Sequence, residues 1–442
     1  MDFRIKDYFS PILLTKTYFR MKRTPRLSKE KIEQVTLENL KNICVYANEH
    51  VPYYKKLFKS IDFDPETLSS FEEFERIPTL DKSIIRDNFD ELLSDEYQKL
   101  SPVICETSGS TGTPLQFYLD KGINAATFVL FHRTWSMAPW HIGLAQATIS
   151  GYAEGEWHYS RLRKILYLSS FHLDNKTIHT FYDLIKKYKV RFLRGYPSSL
   201  YRMAQLLVEE NLELHFDVLF SGAETLLPYQ REFIEKVFSG KVIDHFTHWE
   251  RTASICECLN GHLHAENDYG YHEIVDDDGK KTMDVGRLVC TGLYNRAMPL
   301  IRYDTRDLAQ WDSETATCSC GSNFPIVKKI IGRIEDFVVL PNGRYIGRLD
   351  AAFKYNENIR YAFLYQPDLH NLEVNLCPGD NFDFEYEKVR LESELRKRVG
   401  NEIKLNYKIV EEEEIPFSPV GKLRFMKSDV LAQEQITNQE EI

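Results

Sequence analysis

Apolar positions between residues 28 and 60 recur near a helical period, with Ile32, Val35, Leu37, Leu40, Ile43 and Val45 on the repeating set. Ser28 and Lys31 open that stretch, and Val51-Pro52-Tyr53-Tyr54 breaks it before a further short helix. Phe71–Phe74 and Ile77–Lys82 then alternate helix and turn. After residue 120 the pattern changes character. Residues 122–140 read as helix, Ala147–Tyr152 as strand, 176–188 as helix, Val190–Leu193 as strand and 199–210 as helix. Val218-Leu219-Phe220 is another short apolar strand, ending in the small residues Ser221, Gly222 and Ala223 and then Glu224. Strand, turn and helix in alternation predict βαβ units around a parallel sheet, an α/β class. Past residue 336 the composition shifts: 359–376 alternate as strands, 383–399 form a charged helix and 402–411 return to strand. A separate α+β domain of about 100 residues is expected there. No repeat of fixed period is present.

The chain has 442 residues, enough for a large core and more than one domain. Lys plus Arg is 56 and Asp plus Glu 66, a net charge of −10, which argues against a nucleic-acid partner. Hydrophobic residues at 43% and aromatics at 13% exclude a disordered chain. No apolar run approaches the roughly 18 residues a membrane span needs. The N-terminus alternates Arg4, Lys6, Lys16, Arg20, Lys22 and Arg23 with Phe3, Tyr8, Phe9, Ile12, Leu13, Leu14 and Phe19. That mixture suits a docked helix with a solvated basic face, or a helix on a membrane surface. Eight cysteines, two pairs of them as Cys-x-Cys, do not form a secreted disulfide framework, so a cytoplasmic location is expected.

Candidate chemistry begins at Thr107-Ser108-Gly109-Ser110-Thr111-Gly112-Thr113-Pro114, which follows Glu106 and precedes the β-prone Leu115–Leu119. Its glycines let backbone N–H groups converge on an anion, and its hydroxyls add donors. It lacks the lysine of the nucleotide P-loop. By itself it reads equally as a polar turn. Ser221–Glu224 lies at the carboxyl end of a predicted parallel strand, where ligands sit in open α/β sheets, and a tight strand-to-helix turn is the alternative. Val242–Glu250 repeats the arrangement. Asp307 follows Pro299–Arg306 and reads alone as a helix cap.

The order of these motifs resembles the adenylate-forming superfamily, which includes acyl-CoA synthetases, luciferases and nonribosomal peptide adenylation domains. The run Tyr46–Phe58 resembles phenylacetate–CoA ligases and their relatives associated with capsule and surface polysaccharide. The resemblance covers nearly the whole chain. It implies a large N-terminal domain, residues 1–334, of βαβ subdomains with a distorted β-barrel, a hinge near Asp336, and a small mobile domain, residues 337–442. Thr107, Ser108, Gly109, Ser110, Thr111, Gly112 and Thr113 would hold the β- and γ-phosphates of ATP. Ser221, Gly222, Ala223 and Glu224 would lie along the adenine, with Phe246 packed on it. Glu250 would hold Mg²⁺, Asp307 the ribose hydroxyls, and Arg333 the ribose and phosphate. Lys422, in Val420-Gly421-Lys422, matches the terminal lysine that stabilises pentavalent phosphorus. Catalytic roles fall on Lys422, Glu250 and Thr107. Thr247 and Trp249 depart from the usual Gly and Ser/Thr, which bears on the acyl pocket.

Cysteine and histidine add a further cluster. Cys256 and Cys258 precede Leu259-Asn260-Gly261, and His262 and His264 follow. A three-residue hairpin loop with Gly261 in the left-handed region pairs Cys258 with His262 and Cys256 with His264 and puts all four on one face, whereas a two-residue Asn-Gly turn would put the cysteines and histidines on opposite faces. Cys318 and Cys320 form a second knuckle. Cys258, His264, Cys318 and Cys320 make a tetrahedral set for structural Zn²⁺, with Cys256 or His262 as substitutes. Buried thiols and a surface histidine are the plain alternative.

Together these readings predict an ATP-dependent ligase. It forms an acyl-adenylate from a small carboxylic acid, releases pyrophosphate and passes the acyl group to CoA or an amine. The other reading is a non-catalytic adenine-nucleotide-binding assembly factor for polysaccharide synthesis. A homodimer is compatible with either.

Overall fold

The structure, a computed structural model, describes residues 11–106, 115–151, 155–313, 317–333, 338–341, 345–346, 349–353, 356, 358–417 and 423–430. Two compact units form: residues 1–143 with 243–330, and residues 144–242 with 331–442. The expected boundary at 334–337, Asp336 included, lies outside the described residues. No helix among the described residues is long and apolar enough to cross a membrane.

In the first unit the helix Lys29–His50 starts at Ser28, whose hydroxyl accepts from the Lys31 amide at 3.4 Å. It stops at Val51 because Pro52 has no N–H to continue it, and Pro52 instead opens the helix Pro52–Ser60. Leu40, Ile43, Cys44 and Ala47 bury their apolar stripe against Tyr54, Phe58 and Phe74. The helix Pro11–Arg23 is docked, as one of its two readings required. Met21 is fully buried, and Arg20 donates to the Tyr294 hydroxyl at 2.5 Å. The helix Lys121–Trp135 begins at Asp120, which caps the Ile123 amide and also accepts from Arg296 N.

The rest of this unit is mostly antiparallel strand. Gly270–Val275, Gly286–Gly292 and Tyr303–Trp311 run side by side. Leu263–Ala265 pairs with Ser254–Glu257 on one side and with Ile326–Arg333 on the other. Gly270 has no room for a side chain, since a Cβ there would lie 1.8 Å from the Thr252 carbonyl oxygen.

In the second unit Val218–Gly222, Phe192–Gly195, Gln146–Ser150 and Ile165–Ser169 form the expected parallel sheet, with Trp157–Ser160 antiparallel at its edge. Helices Thr177–Lys187, Pro197–Glu209 and Pro228–Phe238 belong to the same core through Phe181, Leu206 and Ile234. The pair Trp157–Ser160 and Ile165–Ser169 and the helix Pro228–Phe238 are additions to the sequence reading. The strand pair is short and broken by Arg161, Arg163 and Lys164. The remaining part is a four-stranded sheet in the order Lys404–Ile409, Asn371–Pro378, Ile359–Asp368, Met426–Ser428. Its core includes Leu391 and Leu395 of the helix Phe384–Val399, matching the predicted α+β pattern.

One buried ion cluster ties three segments of the first unit. Arg133 donates to Asp268 at 2.5 and 2.9 Å, to the Met21 carbonyl at 2.6 Å and to Glu266. Two carboxylates share one cation. Burial therefore pushes the Glu266 carboxyl up to about 7 despite the attraction of Arg133. Arg133→Met, which strands both acids, should cost about 3–5 kcal/mol. Glu266→Gln, which leaves the Arg133–Asp268 pair whole, should cost far less. Urea unfolding of the two variants checks this, and equal losses would contradict it.

Candidate active site and metal centre

The strand Lys241–Thr247 delivers His248, Trp249 and Glu250 into a turn closed by Arg251 N donating to His248 O at 3.2 Å. Glu250 is 7% exposed. Its Oε1 accepts from the Tyr303 hydroxyl at 2.8 Å, and its Oε2 from His248 Nδ1 at 2.9 Å. His248 Nε2 lies 3.1 Å from Thr252 Oγ1. Burial alone would raise this carboxyl. The hydrogen bond and charge of His248 and the charge of Lys82 outweigh it and hold Glu250 well below the usual carboxylate range. Glu250 is thus an ionised acid in a dry setting with two donors in place. Each oxygen retains acceptor capacity for a hard cation.

Tyr303 joins this site to the strand Tyr303–Trp311, four residues before Asp307. Asp307 is buried, and its amide donates to Thr305 Oγ1 at 3.1 Å. It sits inside a strand, not at the start of a helix, which removes the cap reading. Phe246 is half-buried beside Ile255 and Ala253. Trp249 packs against the helical core with the Arg251 guanidinium 5.9 Å from its ring centre.

In the second unit Ser221 and Gly222 end their strand, and Ala223 turns the chain at φ +69. The Glu224 carboxylate accepts from Ser198 N and Ser198 Oγ, both at 3.1 Å, and from Leu423 N at 2.9 Å. The helix Pro197–Glu209 has no side-chain cap from Tyr196. Glu224 supplies the anion its N-terminus favours. In the sequence Leu423 directly follows Lys422.

The sequence reading singled out Phe246, Glu250 and Asp307 in the first unit and Ser221–Glu224 in the second, and missed His248, Tyr303 and Ser198. His248 and Tyr303 were legible only as polar neighbours of chosen residues. Thr107–Thr113 and Lys422 lie outside the described residues. Arg333 ends the strand Ile326–Arg333, and its side chain is likewise outside them.

The thiol and imidazole cluster has the predicted register. His264 pairs with Cys256, Cys258 N donates to His262 O at 2.9 Å, and Gly261 has φ +83. The ligand atoms of Cys258, His264, Cys318 and Cys320 all lie within 4.8 Å of one another. Cys258 and Cys318 sulfurs are 3.6 Å apart, and Cys320 Sγ is 3.4 Å from His264 Nε2. His264 Nδ1 faces the Phe324 carbonyl at 3.4 Å, leaving Nε2 turned to the thiols. His262 Nδ1 is 3.3 Å from Cys318 Sγ, at the rim. Cys256 stays outside the group, its buried thiol contacting Glu257 O at 3.6 Å. The hairpin pairing holds, but Cys258 lies past the end of the strand Ser254–Glu257, so the two sulfurs need not share a face.

The CapK C-terminal domain family matches residues 338–429. Protein CapK of Staphylococcus aureus is 25% identical over 402 residues, 87% of this chain and 86% of that protein. A phenylacetate–coenzyme A ligase of Thermus thermophilus is 25% identical over 331 residues, 71% of this chain and 73% of that protein. Among solved structures, 2-hydroxyisobutyryl-CoA ligase in a postadenylation state with an acyl-AMP superposes with TM-score 0.74 at 18% identity, covering 94% of each chain.

Glu224→Ala should expose the N-terminus of the helix Pro197–Glu209 and release the Leu423 amide. The expected loss is about 1–3 kcal/mol. Hydrogen exchange at the Ser198 and Leu423 amides should quicken together, and unchanged protection at both would contradict the contact.

Proposed function

We propose that this chain, whose homologues include CapK and the phenylacetate–coenzyme A ligases and whose fold is that of the adenylate-forming ligases, activates a carboxylic acid as its acyl-adenylate. The observation that carries the reading is Glu250: a buried, ionised carboxylate hydrogen-bonded to the strand that bears Asp307. The acid's carboxylate attacks the α-phosphate of ATP, and pyrophosphate leaves. No general base is needed, because the nucleophile is already ionised. Mg²⁺, held by Glu250, would neutralise charge on the phosphates. His248 and Tyr303 fix the orientation of Glu250. Asp307 accepts the ribose hydroxyls, Phe246 and Ser221–Glu224 border the adenine, and Arg333 reaches the ribose and phosphate. Thr107–Thr113 cradle the leaving phosphates, and Lys422 stabilises the crowded phosphorus. A second half-reaction passes the acyl group from the adenylate to the sulfur of CoA or to an amine, with AMP as the leaving group, after residues 337–442 rotate about Asp336. The chain acts in the cytoplasm, in surface-polysaccharide synthesis.

Cys258, His264, Cys318 and Cys320 fit a structural Zn²⁺. Three thiols and one imidazole are suitable donors, and a Zn–S bond of about 2.3 Å implies sulfurs about 3.8 Å apart. The observed 3.6 Å separation of Cys258 and Cys318 is close to that value. Four protein ligands leave no open position, so the metal supports folding and takes no part in the reaction.

ATP–pyrophosphate exchange with a panel of carboxylic acids tests the proposal, and a protein that binds ATP but exchanges with no acid would overturn it. Lys422→Ala should slow exchange about a hundredfold or more while ATP binding changes little, as for loss of a transition-state contact worth roughly 3–4 kcal/mol. Unaltered exchange would remove Lys422 from the mechanism. Protein purified without chelators should carry close to one zinc per chain, and Cys318→Ser should lose metal and thermal stability together. A metal-free protein of full stability would refute the zinc assignment.

A further inference from the structure

Arg251 follows Glu250 directly and has no role in the chemistry above. It is 7% exposed, and its backbone lies at φ +56, a region that crowds any residue with a Cβ. One guanidinium nitrogen donates to the Asn124 side-chain oxygen, while Nε has no partner among the described residues. No carboxylate among the described residues forms an ion pair with it. The other arginines buried to this degree are answered: Arg202 by Glu209 at 3.1 Å and Arg302 by Glu273 at 3.1 Å. A buried cation without a counter-charge is costly, and so is a strained backbone. Residues that carry both burdens cluster where a ligand supplies the missing partner.

The surroundings narrow the ligand. Arg251 stands over Trp249, and its charge reaches Cys105 and the buried Tyr269. Cys105 belongs to the strand Val103–Glu106, which leads into residues 107–114. That segment, Thr-Ser-Gly-Ser-Thr-Gly-Thr-Pro, contains no acid that could pair with Arg251. Asn124, the one side-chain acceptor it has among the described residues, is neutral and takes only a single N–H.

We infer that Arg251 is an oxyanion-binding residue whose counter-charge arrives with substrate. A guanidinium fork fits a carboxylate and a phosphate alike. The anion is therefore either the carboxylate of the acid or a phosphate of the nucleotide. The inference rests on the adenylating reading of the Glu250 site, and its test separates the two.

Calorimetry of ATP and AMP binding, the acid concentration dependence of pyrophosphate exchange, and melting temperature are measured for the wild type and Arg251→Met. Losing a charge-assisted contact should weaken one ligand about tenfold or more. Weaker ATP binding with the acid KM unchanged assigns Arg251 to phosphate, and a raised acid KM with ATP affinity unchanged assigns it to the carboxylate. Melting temperature should be maintained or rise, because the variant no longer buries an unanswered charge. Unchanged ATP affinity and unchanged acid KM overturn the inference, as does a destabilised variant with normal kinetics. If Arg251→Met does not fold, the stabilisation of the wild type by pyrophosphate and by the acid replaces it. Arg251→Lys, which keeps the charge but loses the fork, should then show a clearly smaller shift with one of them, and equal shifts overturn the inference. A wild type that exchanges pyrophosphate with no acid would defeat the adenylating reading, while the ATP calorimetry would still decide whether Arg251 binds phosphate.

Discussion

The Arg133 guanidinium, sealed between Asp268, Glu266 and the Met21 carbonyl, is the contact on which the first unit depends. It joins the N-terminal helix Pro11–Arg23, the helix Lys121–Trp135 and the turn that follows His264. The same turn leaves the hairpin whose other end meets Cys318 and Cys320. That knuckle in turn reaches back to the N-terminal segment, with Asn323 N donating to Pro25 O at 2.7 Å and its side chain to Leu27 O at 2.9 Å. The hairpin is therefore held by an ion cluster on one side and by thiols and an imidazole on the other. A desolvated charge is destabilising unless its partners are in place, so the segments are fixed by each other.

The same rule, applied to two adjacent residues, separates what is structural from what awaits a ligand. Glu250 is buried and ionised because His248 and Tyr303 answer it. Arg251 is buried beside it with only Asn124. Neither arrangement serves packing, for apolar residues would fill that space at lower cost. An acid positioned by its own donors suits a metal-bound polyphosphate, and a cation lacking an acid suits the anion that comes with it. Both belong on the turn after a strand, where backbone ends free side chains for chemistry.

Helical and strand periods made most of the architecture legible, because one buried face per element is a local property of the chain. The break at Val51-Pro52, the parallel strands of the second unit and the α+β pattern after residue 358 all follow from such local rules. The hairpin register was legible too, since Gly261 selects the three-residue loop. Whether Cys256 or Cys258 would join the other thiols and the imidazole was not, because Cys258 lies just past the end of the strand Ser254–Glu257. Contacts closed over long sequence distances were hidden as well. Glu224 reaches Ser198 across 26 residues and Leu423 across 199. The short strands Trp157–Ser160 and Ile165–Ser169 carry too few apolar positions to declare a period.

The central claim is that ATP is cleaved between its α- and β-phosphates by a carboxylate. Mass spectrometry of protein incubated with ATP, Mg²⁺ and a mixture of carboxylic acids tests it most directly. The account predicts a bound acyl-adenylate with pyrophosphate released in equal amount. Formation of ADP and phosphate, or ATP recovered intact from every acid, would contradict it.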